Sequence, residues 1–152
     1  MHFCSRIVRI VGLCAAVWWG GWAQEGTPRK MDLDIPVSDL PSTSRFLFVG
    51  DTSGTAFAVG EVLIDGEALW VKQSSLAPNR VQVVHWHFDS TAGVLRIAWN
   101  PATLTNRNRV SIRLLPIHRR KGGDRLQVWA GDAPVFDPAA LEEITSKVVL
   151  RK

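Results

Sequence analysis

From residue 45 to residue 151 the chain runs as short stretches of β-branched and aromatic residues, broken by Gly, Pro, Asn and Asp. The breaks recur at intervals of about 8–12 residues, which is the pattern of an antiparallel β-sandwich or barrel. It predicts an all-β domain of about eight strands, over 45–49, 55–64, 68–73, 81–89, 94–100, 109–117, 125–130 and 147–151. The strands are uneven in length and 56–64 lacks a clean alternation, so the expectation is an antiparallel β-sandwich, with a small closed barrel as the alternative.

Local turn chemistry adds detail. Asp65-Gly66 lies between two strand-like runs, and a two-residue hairpin turn of the primed type needs positive φ at both positions. If residues 90–93 form the next loop, Asp89 stands opposite Val94. Val84, Trp86, Phe88, Leu95, Ile97 and Trp99 then share one face, enough to form a core, while His85, His87, Asp89, Arg96 and Ala98 share the other. The same logic pairs 109–117 with 125–130, setting Leu114 opposite Val128 and Arg113 beside Trp129. Asp137-Pro138, followed by Ala139-Ala140-Leu141-Glu142-Glu143-Ile144, predicts one short C-terminal helix with Asp137 as its cap and Pro138 in its first turn.

The N-terminus differs in kind. Arg6 and Arg9, an apolar run from Ile10 to Trp19, and Gly21 and Ala23 at the spacing a signal peptidase inspects form a secretory signal, with cleavage after Ala23. The apolar run is about half the ~20 residues that a membrane-spanning helix needs, so no transmembrane segment is expected after processing. Lipid modification at Cys14 is the competing possibility, and Leu13 fits a lipobox poorly. The division that follows is 1–23 signal peptide, 24–43 extended or flexible lead, and 44–152 a single β domain. Export implies a periplasmic or extracellular destination.

Both cysteines, Cys4 and Cys14, fall in the signal segment, so the mature chain has no disulfide to rely on. Removing Arg6 and Arg9 leaves sixteen basic against fourteen acidic residues, a balance that does not mark a nucleic-acid binder. The expected partner is an envelope protein or polymer, and no cofactor is called for.

Three sets of residues carry candidate chemistry. His85 and His87, two apart on a strand, point to one side and could share a metal ion. Two solvent-facing histidines are the ordinary alternative, and Arg96 opposite His87 would repel a cation. Short likenesses of this region to metallo-β-lactamases, cupins and copper-zinc superoxide dismutases all fail at further ligands those families require. Arg113, Gln127 and Trp129 form a second set, an exposed face on which a sugar or an anionic ligand could stack. The alternative is that Trp129 is covered. The third is the basic loop Arg119, Arg120 and Lys121, suited to acidic polymers or to plain solvation. Gly50-Asp51-Thr52-Ser53-Gly54 reads as a turn. The mature chain has no Cys and no Gly-x-Ser-x-Gly, so no catalytic nucleophile is expected. The leading expectation is therefore a small exported binding or structural module, with ligand or glycan binding and metal binding as alternatives.

Overall fold

Ten strands form the protein in its computed structural model, which describes residues 30–52, 54–73, 83–118 and 125–151. They are β1 Met31–Pro36, β2 Phe46–Asp51, β3 Ala56–Ile64, β4 Glu67–Gln73, β5 Val83–Asp89, β6 Val94–Trp99, β7 Arg109–His118, β8 Leu126–Gly131, β9 Glu142–Glu143 and β10 Val149–Arg151. They lie in one sheet, in the order β10-β1-β7-β3-β4-β5-β6-β2-β8-β9. Every pairing is antiparallel except β4 with β5, which is parallel.

The fold is all-β, but it is not two stacked sheets. Leu33 and Ile35 near one end of the sheet and Val128 and Ala130 near the other belong to the same buried cluster as Phe57, Val62, Leu95, Ile97, Trp99 and Ile112. A single sheet can bring its two ends onto one core only by coiling strongly, so the architecture is a half-barrel with its apolar face inward. Among the described residues no helix is long and apolar enough to cross a membrane.

Two hairpins match the sequence. Asp65 (φ 50°) and Gly66 (φ 83°) join β3 to β4 as a two-residue turn, with Ile64 opposite Glu67. The Asp65 carboxylate also accepts from the backbone N–H groups of Asn108 and Arg109, tying this turn to the start of β7. In β5–β6, Asp89 pairs with Val94 and His87 with Arg96, as expected. Asp89 Oδ1 accepts from the amides of Thr91 and Ala92, which closes the loop. The loop after β2 is the anticipated turn: Gly54 donates to the Asp51 carbonyl and Thr55 to the Asp51 carboxylate.

Four features depart from expectation. Residues 31–36, expected in the lead, form β1 and sit between β7 and β10. Their alternation was masked by Asp32 and Asp34, which point to the outer face. There Arg113 Nε donates to Asp32 at 3.0 Å, Ser111 Oγ donates to Asp34 at 2.7 Å, and Arg151 pairs with Asp34 at 2.6 Å. Acidic residues on a strand are tolerated when cross-strand partners of opposite charge face them.

Second, β7 and β8 do not pair. β7 is bonded to β1 and β3, so Leu114 faces Met31 and Val59; β8 is bonded to β2 and β9, so Val128 faces Val49. Third, β4 and β5 run parallel instead of continuing the meander. Fourth, no C-terminal helix forms. Asp137 caps a single turn, accepting from Ala139 N–H through its side chain and from Ala140 N–H through its carbonyl, but the chain then extends. Leu141 packs on the outer face while Ile144 is in the main core. Residues three apart on a helix would lie on the same side, so opposite destinations for Leu141 and Ile144 exclude one. The expected eight strands become ten by the addition of β1 and β9.

Candidate functional site

The half-barrel is bridged at its open side by its own last strands. β9 lies against β8, the 3-10 turn Thr145–Lys147 follows, and β10 lies against β1 at the opposite end of the sheet. Ile144 N–H donates to the Val128 carbonyl at 2.8 Å, and Val128 N–H donates to the Thr145 hydroxyl at 3.0 Å. That hydroxyl in turn donates to Glu143 at 3.0 Å. These bonds turn the chain away from β8 after only two ladder residues, and the seam between the sheet ends stays open.

A groove of about 490 Å³ occupies this seam. Leu33, Leu126, Val128, Val148 and Leu150 give it an apolar floor, with Thr52, Arg125, Gln127, Glu143 and Thr145 around them. Apolar walls with a few placed polar groups, at a volume between roughly 300 and 1,000 Å³, are the usual makeup of a ligand site. Arg125 is exposed and has no ion-pair partner among the described residues, whereas Glu143 is engaged by Thr145. The groove thus carries one charge of each sign, and of the two only Arg125 has no hydrogen-bond or ion-pair partner among the described residues.

Of the three residues expected on an aromatic and basic face, the structure brings only Gln127 to this groove. Arg113, on β7, is held between Asp32 and Glu61 at 3.0 and 3.7 Å, and its hydrogen bond to Asp32 pushes its pKa further up. Trp129 is buried on the outer face of β8 with Phe46, Phe48, Val94, Ala98 and Leu141. The segment after β8 covers it: the Phe136 ring meets Trp129 edge-on at 4.8 Å and Phe48 at 5.5 Å, and Arg96 donates to the Pro134 carbonyl at 2.8 Å. Gly131 permits this closure, since a Cβ there would lie 2.8 Å from Leu141 Cδ2. Arg113 and Trp129 are thus on strands that do not pair, and the surface expected from their pairing does not form. Arg119, Arg120 and Lys121 lie outside the described residues.

His85 and His87 share the outer face of β5, but their surroundings differ. His87 is exposed opposite Arg96; His85 is buried, opposite Ala98 on β6 and Lys72 on β4. Neither ring nitrogen of His85 has a hydrogen-bond partner among the described residues. Burial, and secondarily the charge of Lys72, lower its pKa from the ordinary 6.5. Among the described residues no group of three or more His, Cys, Asp or Glu is placed to hold a metal ion. Cationic neighbours on both histidines work against one as well.

The same burial sets a pH dependence. His85 takes up its proton less readily in the fold than in the unfolded chain, so its contribution to stability is full above pH 6.5 and is lost as pH falls below it. Replacing it with an apolar ring removes both the acid sensitivity and a buried group without partners. His85→Phe is expected to be at least as stable as wild type at neutral pH and to lose less stability toward about pH 5, in urea melts across that range. A steeper acid loss in the variant would show that His85 is solvated.

Sequence reasoning missed two features. The exposed tryptophan is Trp70 on β4, 61% accessible, readable in principle because Leu69 and Val71 on either side point inward. The groove had no local signal, because its walls come from β1, β8 and β10 and the turns beside them. No protein-family model, no curated protein and no solved structure matches the chain.

Proposed function

We propose that this chain is the precursor of an exported β-domain that binds a component of the cell envelope, a protein or a polymer, in the seam groove. The groove carries the reading: about 490 Å³ of space with an apolar floor lies where the sheet ends meet, with Gln127 and Arg125, which has no ion-pair partner among the described residues, at its side. The N-terminal signal pattern supports the compartment. The lining offers apolar contact, hydrogen bonds and one charge of each sign, Arg125 and Glu143, the means of recognition and orientation.

The test begins with secretion from a bacterial host, where mass spectrometry of the exported protein should place the N-terminus at Gln24. The mature protein is then titrated with detergent-solubilised envelope proteins and, separately, with soluble peptidoglycan fragments. Saturable binding to one of the two is expected, weakened about tenfold or more when Val148→Trp fills the groove. Because Val148 is only half-buried, the melting temperature of that variant should stay close to wild type. Retention in the cytoplasm would overturn the compartment, and equal binding by both forms would overturn the site.

A further inference from the structure

We propose that the seam groove takes an extended peptide, which adds as a strand to the free edge of β8 and sets a carboxylate against Arg125; this rests on the groove being the binding site. The inference starts from backbone hydrogen bonding. In an antiparallel ladder the N–H and C=O of alternate residues point to opposite sides of the strand. Val128 and Ala130 turn theirs away from β2, toward Ile144 and Thr145 and toward β9. Leu126, two residues before Val128, must therefore do the same.

β9 pairs with Trp129 and Ala130, so among the described residues Leu126 and Gln127 have a strand on the β2 side alone. Across the groove β10 is the last strand of the sheet, with no strand beyond it among the described residues. Among the described residues two open β-edges thus flank one cavity, lined by Leu126, Gln127 and Val128 on one side and Leu33 and Leu150 on the other. Protected edges are usually charged, very short or covered. β9 fits that description with Glu142 and Glu143, and β10 is also short but leaves Val149 58% and Leu150 36% exposed.

The chemistry of the occupant follows from these walls. An added strand presents side chains alternately to the two faces of a sheet, so alternate positions should be apolar where they meet Leu33, Val128 and Leu150. The only charge in the groove without a partner among the described residues is Arg125, at the start of β8, so the peptide end nearest it should be acidic. A bulky glycan or a compact metabolite would leave the Leu126 backbone edge unused.

The probes are N-acetylated, C-amidated seven-residue peptides that alternate valine and threonine, ending in aspartate or in lysine. Each is also made with every second amide N-methylated, in both registers. The aspartate probe is expected to bind the mature protein saturably and about tenfold more tightly than the lysine probe, with Arg125→Glu reversing that preference. N-methylation in one register should weaken binding about tenfold or more, because it removes the ladder donors. Slower amide exchange at Leu126 should accompany binding of the unmethylated probe.

No saturable binding of the aspartate probe up to about 1 mM, or equal binding of methylated and unmethylated forms, would overturn strand addition. If that happens while an envelope component still binds wild type and not Val148→Trp, the groove remains the binding site and only the mode is wrong. If Val148→Trp changes neither, both readings fall.

Discussion

Trp99→Ala is expected to remove about 3–5 kcal/mol of stability, a large share of the ~5–15 kcal/mol available to a domain of this kind. Trp99 is the largest fully buried side chain, at the end of β6 and within the main core. Its indole N–H donates to the Ser44 carbonyl at 3.0 Å, and its backbone N–H donates to the Arg45 carbonyl. Arg45 N–H in turn donates to the Gly131 carbonyl. One side chain therefore fills the core and fixes the entry to β2, the strand that joins β6 to β8. Truncation opens a cavity and frees a buried carbonyl together. Trp99→Phe keeps much of the volume and leaves the Ser44 carbonyl unpaired, at about 1–3 kcal/mol. Urea unfolding of the two variants separates these effects. A loss below about 1 kcal/mol for Trp99→Ala would mean that the core does not rest on this residue.

Phe136→Ala is expected to cost about 2 kcal/mol and to uncover Trp129. The Phe136 ring is half-buried, so the loss should fall short of that for a fully buried phenylalanine, and its edge contact with Trp129 adds to its packing. Without it the segment after β8 keeps the Arg96 bond to the Pro134 carbonyl and the Leu141 contact but loses its aromatic anchor. Acrylamide should then quench more of the tryptophan fluorescence in the variant. The added quenching should vanish in a Trp129→Phe background, which separates Trp129 from the exposed Trp70. Unchanged quenching would show that Leu141 and Arg96 suffice to hold the segment closed.

The candidate site was only partly legible beforehand, for a reason these two variants share. Gln127 was singled out and does line the groove, yet it was placed beside Arg113 and Trp129 through a β7–β8 pairing that does not exist. Alternation along β7 and β8 gives the right faces: Leu114 and Val128 both enter the core, and Arg113 and Trp129 both lie outside it. Which strand stands beside which was not, because alternation specifies a face and is silent about the neighbour. Trp129 shows the consequence. It does point outward, but it is covered by a segment whose path depends on Gly131, Phe136 and Leu141 acting together. The histidines divide the same way: their common face was plain from spacing two on a strand, whereas the burial of one and exposure of the other came from what surrounds them.

What the sequence determined by itself are the features with a local cause. Positive φ at Asp65 and Gly66 sets one hairpin, the Asp89 carboxylate closes another, and period-two alternation assigns the core residues of β5, β6 and β7. Each depends on contacts within a few residues or across one tight turn. Only the tertiary structure decided the rest. β1 is a strand because Arg113, Ser111 and Arg151 meet its aspartates from β7 and β10. Glu142 and Glu143 extend instead of coiling because the β8 edge and two opposite apolar destinations claim Leu141 and Ile144. The seam groove exists because a single sheet coils until its ends nearly meet and the last strands bridge them. These outcomes turn on partners up to about a hundred residues away in sequence, and a local pattern holds no record of which distant edge will satisfy a strand's backbone.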